Sequence, residues 1–174
     1  EKGCTYTALS LVAGELNAAG ITTEILNVGT KPVGGCIGCG GCAKGNGCVF
    51  GGVVNEAIEK ARTADAFVFG TPVHYASASG NMTSFLDRLA YAGGKYLAYK
   101  PAAICASARR AGTTSALDQL VKYPEFFHMP LVSGSYWPMV HGSNTEQVLQ
   151  DEEGCAVMKE LGRNMAWLLQ CIEA

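Results

Sequence analysis

No run in this 174-residue chain approaches the about 18 to 20 consecutive apolar residues of a membrane-spanning helix, so a membrane span is not expected. Charge of one sign is lacking too. Thirteen Lys and Arg stand against 15 Asp and Glu, a net charge of −2, which leaves no basic footprint for nucleic acid. Charged residues make up only 16% of the chain. The first residues, Glu1-Lys2-Gly3, carry none of the marks of a signal peptide. There are no repeats, no low-complexity tail and no linker, so one domain over 1–174 is expected. No side chain stands out as a required acid, base or nucleophile.

What is present points elsewhere. The length suits one α/β domain with a full core, and an apolar content of 48% excludes a disordered chain. Glycine is abundant, at 22 residues, or about 13% against a usual level of about 7%. Cysteine is clustered: Cys36, Cys39, Cys42 and Cys48 are four of the eight. A small secreted disulfide scaffold spreads its cysteines along a short, loop-rich chain. The concentration seen here points to a reducing, cytoplasmic setting with thiols, metal ligands or both.

Periodicity orders the rest. Leu9, Val12, Ala13 and Leu16 have helical spacing, and Gly20 is a C-terminal cap signal. Residues 21–28 (ITTEILNV) alternate and are β-branched, which predicts a strand. Residues 29–52 are glycine-rich and predict a loop. Val53 to Ala61 predicts a second helix, 66–69 a buried strand, and Met82 to Leu89 a third helix. Residues 102–106 predict another strand, 113–121 a helix and 129–132 a strand. A single long helix is expected over 145–172.

Short apolar strands alternating with helices imply an α/β fold, a parallel sheet between two helical layers. Its ligands are expected at the carboxyl ends of the strands, in loops 29–52, 70–81 and 106–114. No strand precedes the first helix, although the first strand of such a sheet is usually central. About ten further residues ahead of Glu1 are therefore expected, since a gap there leaves buried backbone groups unpaired.

Three stretches carry chemistry. Lys2-Gly3-Cys4-Thr5-Tyr6-Thr7 leads into a helix, whose N-terminal N–H groups and dipole suit a phosphate, with Thr5 and Thr7 as further donors. The plain alternative makes Thr5 an N-cap. The stretch from Thr71 to Met82 puts backbone donors, hydroxyls and the ring of Tyr75 at a strand end. That combination serves a planar heterocycle with a polar edge, unless His74 and Tyr75 are ordinary loop residues.

The third stretch is the cysteine cluster, C-x2-C-x2-C-x5-C over Cys36, Cys39, Cys42 and Cys48. Its glycines let the backbone fold around an iron–sulfur cluster. A zinc ion and four free thiols are the alternatives, and the compact spacing suits a cubane better than paired zinc knuckles. Cys105 reads as a small core residue, Cys155 and Cys171 as packing on the last helix, and Cys4 has no assigned role.

The segment GTPVHYASASGNMTSFLDRL resembles the flavin-loop signature of flavodoxin-like NAD(P)H-dependent FMN reductases. Gly3-Cys4-Thr5 is similar to the end of that family's phosphate loop, and Ser107 to Thr114 sits at its third flavin-contacting loop. The cysteine spacing is similar to that of the iron–sulfur flavoproteins, a branch with [4Fe–4S] beside FMN. The resemblance implies a flavodoxin-like three-layer sandwich and FMN held non-covalently. Thr5 and Thr7 would serve the phosphate. Thr71, Pro72, Val73, His74 and Tyr75 would line one side of the flavin, and Ser107, Arg109, Arg110, Gly112 and Thr113 the other. His74 stands where the family often has an aromatic. The resemblance also implies NAD(P)H as donor, an electron acceptor and a homodimer or homotetramer. The loop Tyr136 to His141 would then cover a flavin, form a subunit contact or pack on its own core.

Overall fold

The computed structural model describes residues 3–174. Ten α-helices and β-strands follow one another among the described residues. They are α1 (Cys4–Ala18), α2 (Val53–Thr63), β1 (Phe67–His74), β2 (Ser77–Ala78), α3 (Gly80–Gly93), β3 (Ala102–Ala108), α4 (Thr113–Phe126), β4 (Met139–His141), α5 (Thr145–Gln150) and α6 (Glu152–Glu173). The sheet order is β2-β1-β3-β4. Phe67 to Pro72 of β1 pair in parallel with Ala102 to Ser107 of β3, and Ala106 to Ala108 pair in parallel with β4. The two-residue β2 folds back antiparallel on Val73 and His74.

Alternation along β3 divides the core into two. Ile104 and Ala106 face a cluster with Ile58, Leu86, Leu89 and Leu120, drawn from α2, α3 and α4. Ala103 and Cys105 face the other way, toward Val12, Met158, Leu161 and Met165 of α1 and α6. Every residue of β3 is buried, as a strand covered on both faces must be. The result is the expected three-layer α/β sandwich. Among the described residues no helix is long and apolar enough to cross a membrane.

Local signals explain the helix ends. Gly20 holds a positive φ of 84°, and Ile21 N–H donates to Leu16 C=O at 3.0 Å while Gly20 N–H donates to Asn17 C=O at 3.0 Å. This is a Schellman ending, as the glycine predicts. Ser79 starts α3 by accepting the Met82 N–H at 3.3 Å. Gly162 lets α6 approach α1 closely, since a Cβ there would lie 2.7 Å from the Val12 carbonyl oxygen.

Three expectations are corrected. Residues 21–28 form no strand: they make no ladder, and Leu26 and Val28 instead pack against the α2–α3–α4 cluster. A strand exists only through a partner, and among the described residues none lies beside 21–28. The edge of β1 facing away from β3 is paired only at Val73 and His74 among the described residues.

Residues 129–132 touch the sheet through one bridge, Leu131 to Ala102. The chain then leaves and returns, so the last strand is Met139–His141, inside the stretch expected to be an aromatic loop. The terminal helix is broken at Asp151, whose φ of −77° and ψ of 81° leave the helical region. Its carboxylate caps α6 by accepting Gly154 N–H at 3.0 Å and also accepts His141 N–H at 2.7 Å. A carboxylate that accepts the N–H three residues on, from a backbone with ψ of 81°, marks a helix start and not a helix interior.

Candidate functional site

The carboxyl ends of β1 and β3 and the N-terminus of α1 meet at one edge of the sheet. The first intrahelical bond of α1 runs from Thr7 N–H to Gly3 C=O at 3.0 Å, so the N–H groups of Cys4, Thr5 and Tyr6 have no acceptor within the helix. The helix start is capped by Gly3 with no side-chain bond, which excludes Thr5 as N-cap. The Thr5 hydroxyl instead lies 2.6 Å from the Ser107 hydroxyl at the end of β3. Thr7 sits a turn further in, its hydroxyl donating to Gly3 C=O at 3.1 Å and lying 3.3 Å from the Thr145 hydroxyl. Lys2 lies outside the described residues.

The loop after β1 is shaped by its own side chains. Thr71 is fully buried: its hydroxyl accepts Ser79 N–H at 3.0 Å and donates to Pro72 C=O at 3.0 Å. Gln119 of α4 accepts from both Ser77 Oγ at 2.8 Å and Ala78 N–H at 3.0 Å, fixing the tip. Tyr75 and Ala76 take positive φ values of 51° and 60°, uncommon for residues with a Cβ. The Tyr75 ring is left fully exposed, beside an exposed His74. Gly112 closes the other side with φ of 88°, and a Cβ there would meet Ala76 Cα at 2.7 Å. Arg109 and Arg110 are exposed next to it, whereas Thr113 is buried and donates to Met139 Sδ at 3.0 Å.

Thr5, Ser107, Tyr75 and Gly112 therefore belong to one edge, and Thr71, Thr7 and Thr113 support it from within. Free helix N–H groups, paired hydroxyls, two exposed guanidinium groups and a Cβ-free turn make a donor set suited to a phosphate-bearing planar group. Gln119 carries no sequence signal that could have found it, because its role depends on α4 crossing the β1–β2 turn.

The cysteine loop forms a second feature. Cys36, Cys39, Cys42 and Cys48 line one cavity of about 240 Å³ with Ile37, Val49, Phe50, Tyr91 and Arg88. Gly38, Gly40, Gly45 and Gly47 hold positive φ values of 64° to 80°, which wrap the chain around it. Gly41 carries no Cβ because Val49 Cγ1 would lie 2.4 Å away. Tetrahedral Cys4 coordination with bonds of about 2.3 Å needs sulfurs about 3.8 Å apart. Among the described residues no three Cys, His, Asp or Glu side chains converge enough to hold an ion. Four soft sulfur donors line this open volume with no carboxylate or imidazole among its lining residues, a donor set that suits an iron–sulfur cluster or zinc.

Arg88, the last residue of the FLDR stretch, points to this loop and not to the flavin-type loop. Its Nε donates to Cys48 Sγ at 3.2 Å. Burial pushes the Cys105 thiol up to about 12, which keeps it protonated and inert in the core. Cys155 is half-buried, and its thiol donates to Val148 C=O at 3.2 Å, as packing on the last helix predicts. Cys171 is exposed, which corrects its reading as packing. Tyr136 and Trp137 are also exposed, edge to face with ring centres 4.8 Å apart.

A family model described as NADPH-dependent FMN reductase matches residues 1–144. An iron-sulfur flavoprotein of Methanocaldococcus jannaschii is 25% identical over 174 residues, covering 95% of this chain and 88% of its own length. An iron-sulfur flavoprotein of Archaeoglobus fulgidus is 28% identical over 160 residues, covering 90% of this chain and 79% of its own. A solved flavodoxin from the domain Archaea superposes with a TM-score of 0.63 at 11% identity, covering 95% of this chain and 90% of its own. The shared fold is flavodoxin-like.

Proposed function

This chain belongs to the NADPH-dependent FMN reductase family, and from that premise we propose that it binds FMN without a covalent bond at the Thr5–Tyr75–Ser107 edge and oxidises NAD(P)H. Electrons would leave to a quinone, nitro or azo acceptor or to a protein. The observation that carries this reading is the 2.6 Å contact between Thr5 and Ser107, which joins the helix start to the strand end. When bound, FMN supplies hydride and electron chemistry at its ring.

The chain's own residues do the rest. The N–H groups of Cys4 to Tyr6 and the Thr5 and Ser107 hydroxyls meet the phosphate. Arg109 and Arg110 add charge at the rim. The loop of Pro72 to Tyr75, stiffened by Thr71 and Gln119, lines one side of the ring, and Gly112 with Thr113 closes the other. No protein acid or base is needed for the hydride step.

A second reading has its own observation: the four thiols lining one cavity. In it Cys36, Cys39, Cys42 and Cys48 hold a [4Fe–4S] cluster, and the protein carries electrons between cluster and flavin. Its relatives named as iron-sulfur flavoproteins support it.

Anaerobic purification with a visible spectrum and an iron assay separates the two. A yellow protein with steady NAD(P)H consumption by a small acceptor supports the reductase. A brown protein with about four irons per chain supports the carrier. A colourless protein that takes up no added FMN overturns the first reading.

A further inference from the structure

Arg88 of α3 is only 6% exposed, and burying a guanidinium is costly unless an anion opposes it. Among the described residues no carboxylate pairs with it. The neighbouring Asp87 faces Tyr123, whose hydroxyl donates to it at 2.6 Å. The Arg88 donors go instead to Gly34 C=O at 3.3 Å, Gly51 C=O at 3.0 Å and Cys48 Sγ at 3.2 Å. Its guanidinium carbon also lies 5.5 Å from the centre of the Phe50 ring. Of these partners only the sulfur can carry a full negative charge. One side chain thus ties both ends of the cysteine loop to α3 and sets a cation against one thiol.

The backbone of Cys48 is fastened separately. Asn55 of α2 accepts Cys48 N–H at 2.8 Å and donates to Cys48 C=O at 3.0 Å. Among the described residues no such bond holds the thiols of Cys36, Cys39 or Cys42. The two anchors are distinct in kind. Asn55 fixes where Cys48 stands, and Arg88 adds charge and an N–H donor at its sulfur.

We propose that Arg88 is the charge-compensating, positioning residue of the cysteine cavity, and that its guanidinium raises the reduction potential of a cluster held there. The inference rests on the cluster reading above. Reduction adds negative charge, and a buried cation donating to a ligand sulfur stabilises the reduced form more than the oxidised one.

The test compares wild type, R88M, R88K and N55A, each loaded anaerobically with iron and sulfide. Iron per chain, circular dichroism and a redox titration of the cluster are read on each. R88M should shift the oxidised-to-reduced ratio at fixed potential at least tenfold toward oxidised. For one electron that is a fall of about 59 mV. R88K, which keeps the charge but not the fork, should fall between R88M and wild type. N55A should lose iron more readily yet keep the wild-type potential.

A fully loaded R88M at the wild-type potential overturns the proposal. So does an N55A shift equal to that of R88M, because position alone would then account for it. If R88M does not fold, R88K against R88Q decides: equal potentials overturn the proposal. A folded wild type that takes up no iron removes the cluster reading and this inference with it, and FMN uptake is then scored independently.

Discussion

Tyr75 keeps a left-handed backbone while its ring stands fully in solvent, a costly arrangement that buries nothing within this chain. A ring so presented is available to stack on a planar ligand. Tyr75→Ala should weaken FMN retention by about tenfold, the worth of a stacking contact of about 1.4 kcal/mol. FMN fluorescence on titration measures it, and an unchanged Kd would remove Tyr75 from the site. Cys105 makes the opposite case. Its thiol is pushed from 9.0 up to about 12 by burial, so it should resist alkylation at pH 8 in the native protein. The unfolded chain ionises this thiol near 9 and the folded chain near 12. Its contribution to stability is therefore complete below about pH 9 and falls by about 1.4 kcal/mol per unit between those values. Denaturant midpoints across that range, compared with Cys105→Ala, test the sign. The core place of Cys105 was legible from its apolar neighbours. The partners of Arg88 were not, because a signature residue in a sequence does not show which loop its side chain turns toward.

At the scale of elements, helical periodicity located α1 to α4 and short apolar runs located β1 and β3, with ends a few residues off. The misses share a cause. Residues 21–28 have the right pattern for a strand but no partner, and a ladder is a property of two segments. The 129–141 edge strand is split because Leu131 and Met139 reach opposite ends of β3, which no local pattern records. The 145–172 stripe is continuous in apolarity, yet Asp151 interrupts it. Asp151→Ala should therefore remove a cap and the His141 N–H acceptor together, costing about 1–3 kcal/mol in urea unfolding. A loss below about 0.5 kcal/mol would mean that the helix runs through. Gly112→Ala should act on the site itself: its φ of 88° and the 2.7 Å approach to Ala76 force the two loops apart. Weaker FMN binding is expected, together with an unfolding midpoint lowered by about 1–2 kcal/mol of backbone strain.

At the scale of the molecule, the two core clusters lie on opposite faces of one sheet, and the proposed flavin edge is assembled from loops belonging to both. α1 brings the phosphate donors from one layer, and α3 and α4 fix the β1 loop and Gly112 from the other. A ligand at that edge therefore bridges the layers, and its binding energy enters the global unfolding equilibrium. FMN at a hundredfold excess over its Kd should add about 2.7 kcal/mol. For a chain of this size each kcal/mol is worth about 2–4 °C, so the melting temperature should rise by about 5–10 °C. Riboflavin has the same ring and no phosphate. It should give a clearly smaller shift at equal concentration, because the N–H groups of Cys4 to Tyr6 and the Thr5 and Ser107 hydroxyls then face water. Thr5→Val should bring the FMN shift down toward that of riboflavin while leaving the riboflavin shift as it is. Equal shifts for the two ligands would move the phosphate away from the start of α1, and no shift with either would remove the flavin from this edge.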